Sequence, residues 1–126
     1  MTARLRSTEH DRGQATVELS LALPMVCLLL FAVVQVAVIG RGQLAVQLAA
    51  REAARAAAVA ADPVGAGNTA AHRAVALRPL VVEISEHGGT VTATVRYTDT
   101  TSVPLVGVLL PDVVLSATVT MALEPP

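Results

Sequence analysis

Residues 19–39 read LSLALPMVCLLLFAVVQVAVI, 21 positions of which only Ser20 and Gln35 are polar. At about 1.5 Å per helical residue this run covers roughly 31 Å, the thickness of one bilayer's hydrocarbon core. A removable secretory signal is the competing reading, but its apolar region runs about 7–15 residues and ends at a small-x-small cleavage site. A secreted soluble domain of that kind would lose everything through about residue 40. The length of the run favours a single membrane-spanning helix, and the rest of the chain must be arranged around it.

Composition agrees. Hydrophobic residues make up 53% of the 126-residue chain and charged residues 15%, against about 25% charged in an average soluble domain. A net charge of −1, one Phe, one Tyr and no Trp leave neither a basic field nor stacking platforms for nucleic acid. All nine basic residues are Arg, so no Lys amine is present for a Schiff base or an isopeptide bond. Cys27 is the single cysteine and lies within the apolar run, where it reads as a small apolar side chain with no internal disulfide.

Flanking charge does not orient the span. Arg4, Arg6 and Arg12 precede it, and Arg41, Arg51 and Arg55 follow it, a balanced count under the rule that cytoplasmic flanks carry the excess of Arg. The short polar N-terminal flank and the long C-terminal remainder place the N-terminus in the cytoplasm and the C-terminal region outside.

Beyond Gly40 and Gly42, residues 43–61 read QLAVQLAAREAARAAAVAA, almost all strong helix formers. The helix is therefore expected to continue out of the membrane, with the two glycines as a hinge, and to stop at Asp62-Pro63. Unbroken from Gln14 to Ala61 it would be a rod of roughly 72 Å. Ala45, Ala49, Ala53, Ala57 and Ala61 recur every four residues and form a shallow ridge that admits close approach of another backbone. Arg51 and Arg55 lie opposite Ala49 and Ala53. The ridge can serve a second subunit or pack on the chain's own sheet, and the pattern leaves both open.

A Gly-rich turn, VGAGN at 64–68, and a short helix over 69–77 are expected next. Three strands follow. LVVEISE (80–86) and TVTATVRY (90–97) flank His87-Gly88-Gly89, read as a three-residue hairpin connection, and VVLSATVTMAL (113–123) is the third. In the second and third strands apolar and Thr/Ser positions alternate, which describes an antiparallel sheet with one dry face for the helix to cover. The apolar loop SVPLVGVLLPD (102–112) is expected to touch a neighbouring subunit, the membrane surface or its own domain. The fold class is α+β, a long N-terminal transmembrane and stem helix followed by a small antiparallel sheet.

The residues show no catalytic constellation. Ser7, Ser20, Ser85, Ser102 and Ser116 lack a nucleophile-elbow setting. His10, His72 and His87 are isolated, no pair has zinc spacing, and VGAGN lacks the lysine and preceding strand of a phosphate loop. Asp62, Asn68 and Asp99 match no calcium loop. The expectation is a non-enzyme without metal or cofactor.

Ahead of the span stands RGQATVELSLALP, residues 12–24. A short charged leader, Gly13, four residues, Glu18 and then an unbroken apolar helix resemble the class III signal of type IV prepilins, and most closely the TadE-like proteins of tight-adherence (Tad, Flp) pili. The resemblance extends through L-A-L-P with Pro24, the Ala-rich stem with its REAAR stretch, and the C-terminal strand region. Two positions differ from the family pattern: Leu19 replaces an aromatic residue, and Gln14 replaces Phe.

The resemblance implies a pilin-like fold with three parts: a prepilin leader (1–13), a membrane and stem helix (14–61) and a small extracytoplasmic β domain (62–126). It implies cleavage between Gly13 and Gln14 by a prepilin peptidase, with Glu18 then fifth in the mature chain and used, with Pro24, in assembly. The partners implied are the bacterial cytoplasmic membrane, the peptidase, other pilin subunits and the Tad assembly machinery. The alternative from a different class is a permanently anchored single-span envelope protein whose β domain binds a partner.

Overall fold

A computed structural model of the chain describes residues 7–99 and 112–125, with side chains from residue 13 onward. Residues 1–6 of the leader and residues 102–111 of the apolar loop lie outside the described residues. The described elements are α1 (Ser7–Val59), α2 (Pro63–Ala74), β1 (Leu80–His87), β2 (Thr90–Asp99) and β3 (Val113–Ala122). This is the α+β class expected from the sequence. Two compact units divide the chain, Met1–Ile39 and Gly40–Pro126.

The first unit is helical from Ser7. Its apolar side chains point outward on every side: Leu21 is 73% and Met25 75% exposed, and Val17, Leu28, Leu30, Phe31 and Val36 are exposed as well. A helix that is hydrophobic all round has no polar face to give to water, so its solvent must be lipid or other protein. Gly13–Val59 is the one helix among the described residues long and apolar enough to cross a membrane. Pro24 lies inside it without ending it. Its ring withholds one backbone donor from the Ser20 carbonyl.

The second unit begins with the C-terminal part of α1. Gly40 and Gly42, expected as a hinge, are both helical. A Cβ on Gly42 would press into the Leu115 Cδ1 at 2.6 Å, so the missing side chain makes room for a strand residue. The helix ends at Val59, before Ala61. Asp62 and Pro63 then do more than stop it, because the same dipeptide starts α2. The Asp62 carboxylate accepts a hydrogen bond from the Gly65 amide at 3.1 Å, and Pro63 occupies the first helical turn, where its lost donor costs nothing.

This corrects two expectations: VGAGN is not a turn but lies within α2, and that helix ends at Ala74 rather than running to Leu77. Gly67 explains the glycine content. A Cβ there would meet Ile84 Cδ1 at 2.8 Å and the Ala53 carbonyl oxygen at 3.1 Å, so glycine is the residue that lets α2 lie close against α1. At the other end the Arg78 guanidinium donates to the carbonyls of His72 (3.2 Å), Val75 (3.2 Å) and Leu77 (2.6 Å), supplying donors that the last turn of a helix lacks.

The sheet order is β1-β2-β3, antiparallel throughout. His87 pairs with Thr90, so the hairpin connection is the two-residue pair Gly88-Gly89 rather than the three residues expected. Gly88 has φ 57° and Gly89 φ 79°, the two positive angles that a type I′ turn demands and that side chains resist. The register sets Val82 opposite Val95, Ile84 opposite Ala93, Val91 opposite Met121 and Val95 opposite Ala117. The dry face expected from the alternation is therefore continuous over three strands. On the wet face the hydroxyls of Thr92 and Thr120 share a hydrogen bond at 2.9 Å, and those of Thr94 and Thr118 one at 3.2 Å.

Helix α1 covers the dry face. Val46, Ala49, Ala50, Ala53, Ala54 and Ala57 are fully buried, as are Val91, Ala93 and Val95 below them. Ala57 and Ala58 pack with Val91, flanked by Ile84, Met121 and Leu123. The Glu124 amide donates to the Ala58 carbonyl at 3.0 Å, and the Gln43 carboxamide donates to the Ser116 carbonyl at 3.0 Å. Alanine makes this a thin core. Its largest fully buried side chains are Val46, Val91 and Val95, and fully burying such a side chain contributes about 1.5–3 kcal/mol.

Candidate functional site

The residues singled out for processing and assembly lie on consecutive turns of one helix. Gly13, Gln14, Glu18 and Pro24 all belong to α1 and all are exposed. At Gly13 nothing among the described residues approaches within 4 Å of where a Cβ would stand.

Glu18 is the only charged side chain between Arg12 and Arg41. Its carboxylate accepts a hydrogen bond from the Gln14 carboxamide, Nε2 to Oε1, at 3.4 Å. Spacing of four residues puts the two side chains one above the other on the same helix face. Side chains of a helix lean toward its N-terminus, so Glu18 is directed away from the apolar run and toward the leader. One turn further in, the Ser20 hydroxyl donates to the Thr16 carbonyl at 2.8 Å, a local bond that satisfies a hydroxyl without leaving the helix.

What this arrangement can do follows from the chain's ends. While residues 7–13 remain helical, Glu18 is an interior residue of a continuous helix. If the helix began at Gln14, Glu18 would stand in its first turns, where free backbone N–H groups and the macrodipole favour a carboxylate. The α-amino group created there would sit on the residue that already bonds Glu18.

The alanine positions are divided. Ala49, Ala53 and Ala57 are fully buried, within the second unit, against α2 and the sheet, whereas Ala45 is half-buried. Arg51 and Arg55 are exposed on the other side of the helix. Sequence reasoning missed Ala50, Ala54 and Val46, which share the buried face with the ridge; a four-residue repeat marks only one edge of a face that is wider than one row. It also missed Gln43, whose signal is faint: one amide among many helix formers.

Among the described residues no three His, Cys, Asp or Glu side chains converge, and Cys27 is exposed on the apolar helix. Arg96 and Glu83 form an exposed pair at 3.5 Å on the wet face of the sheet; such a pair contributes little.

Residues 13–55 match the family described as TadE-like protein. The match starts at the glycine and ends within the stem helix, and it is consistent with a TadE-like protein of a Tad pilus. No curated protein and no solved structure matches the chain.

Proposed function

We propose that the chain is a minor pilin or pseudopilin of a Tad-type pilus, without catalytic activity of its own, held in the cytoplasmic membrane by α1 until a prepilin peptidase cuts between Gly13 and Gln14. The leader stays in the cytoplasm and the second unit lies outside. Cleavage turns a neutral amide nitrogen into a cationic amine and removes the +1 leader, whose three Arg outweigh Glu9 and Asp11; the remainder, with six Arg against eight acids, carries −2.

The observation that supports this reading best is the pairing of Glu18 with Gln14 and with no other side chain among the described residues. A carboxylate drawn toward hydrocarbon needs a compensating charge. The new amine of Gln14, on the same chain or on an adjacent subunit, is a compensating charge that exists only after processing, so that maturation licenses assembly through the helix. Pro24 loosens the helix one turn beyond Ser20 and lets it bend into a packed array.

The test is to replace Gly13 by leucine and follow both intact mass and surface pili. Wild type should lose residues 1–13 and Gly13→Leu should retain them and assemble no subunit. Equal masses for the two would overturn the mechanism. An N-terminus at Met1 or Thr2 in membrane-extracted wild type would favour the permanently anchored alternative.

A further inference from the structure

The apolar run holds one side chain that the pairing of Glu18 leaves unexplained. Gln35 lies four residues inside the C-terminal end of the 19–39 stretch, about 6 Å below the hydrocarbon boundary by helical rise. Its side chain leans toward the helix N-terminus, which is toward the bilayer centre and away from the nearer headgroups. No residue within the described chain hydrogen-bonds its carboxamide. In lipid that leaves two donors and an acceptor with no water to serve them.

The other irregular residues of the run are not scattered. At 100° per residue, Ser20, Pro24, Cys27, Phe31 and Gln35 fall within an arc of about 80°. Leu29, Val33 and Val36 lie on the opposite side and are purely aliphatic. Pro24 adds to this arc a Ser20 carbonyl that receives no N–H from the following turn. One face of the span therefore carries its polar groups, and the other carries none.

We infer that this face is a contact between two copies of the chain in the membrane, with the Gln35 carboxamides hydrogen-bonded to each other. The occupant is argued from self-complementarity: a carboxamide offers donor and acceptor together, so a second carboxamide at the same depth satisfies both at once. Every copy inserts with the same topology, which brings Gln35 to that depth in each. Polar side chains act in this way between helices in membranes. The inference rests on the reading of α1 as a bilayer span and not on processing or pilus assembly.

Cys27 supplies the test, because it shares the face and is the only thiol. The full chain is expressed in membranes as wild type and as Gly13→Leu, so that the contact is measured with processing and without it. Cys27 disulfide formation is driven with copper-phenanthroline. Covalent homodimer is expected in both forms, with Gln35→Leu lowering the association constant about fivefold, equivalent to about 1 kcal/mol, and Gln35→Asn restoring part of it. The cysteine moved to the opposite face, Cys27→Ala with Leu29→Cys, should give little. The proposal falls if Cys27 forms no homodimer, if Gln35→Leu leaves the yield unchanged, if the Leu29→Cys chain crosslinks equally well, or if Cys27 pairs with a different protein instead.

Discussion

Replacing Gly67 with valine tests the most demanding contact of the second unit. The Cβ would enter 2.8 Å from Ile84 Cδ1, 3.1 Å from Ile84 Cγ1 and 3.1 Å from the Ala53 carbonyl oxygen. The isoleucine end can rotate. The carbonyl cannot, because it belongs to the backbone of α1, so α2 must move away. Helix propensity favours the substitution by a few tenths of a kcal/mol. Overpacking costs about 1–3 kcal/mol, and the two methyls of valine put this change at the upper end, for a net loss of about 2 kcal/mol. For a domain of this size that lowers Tm by about 8–16 °C. Tyr97 is the only tyrosine and no tryptophan is present, so its fluorescence reports on the second unit, Gly40–Pro126, while the apolar part of α1 before Gly40 stays in detergent. Asn68→Val, at the exposed neighbour, should shift the midpoint by less than about 0.5 kcal/mol. An unchanged midpoint for Gly67→Val would refute the close approach of the two helices.

Other outcomes follow from single residues. Val95→Ala removes two methyls from a fully buried side chain and should cost about 2–3 kcal/mol in the same Tyr97 assay, transfer and cavity terms together. Asp62→Ala removes the carboxylate that caps α2 and should cost about 1 kcal/mol, read as faster amide exchange at Gly65 and Ala66. Changing Gly88 to asparagine, which tolerates positive φ, should leave hairpin stability nearly intact, whereas Gly88→Val should lower it by about 1–2 kcal/mol. Glu18→Gln should still be cleaved after Gly13 but should assemble poorly, measured as normal intact mass with depleted surface pili.

Much of this was legible in residue order, for physical reasons. The span is legible because lipid imposes length and apolarity at once, and the sheet because alternation fixes which side of each strand is dry. Thr92, Thr94, Thr118 and Thr120 announced the wet face, and the register placed them opposite one another. The region from Asp62 to Ala74 was misread because Asp-Pro is both a helix stop and a helix start, and because glycines that signal turns also serve where two helices touch. Gly67 is such a glycine, and only Ala53 and Ile84, distant in sequence, reveal it. The hairpin was misread by one residue because His87 looks like turn chemistry but pairs with Thr90.

The alanine ridge shows a different limit. Spacing at every fourth residue identifies a smooth face but not its occupant. In the structure Ala49, Ala53 and Ala57 face the chain's own α2 and sheet. Glu18 was legible as an anomaly, a charge beside an apolar run, whereas its partner Gln14 emerges from geometry.

The most direct measurement is the N-terminal residue of the protein extracted from native membranes, determined by intact mass and terminal sequencing. Processing behind Gly13 predicts chains that begin at Gln14, with the α-amine free to meet a carboxylate four positions on. Chains that still carry Gly13 and the residues before it would contradict it.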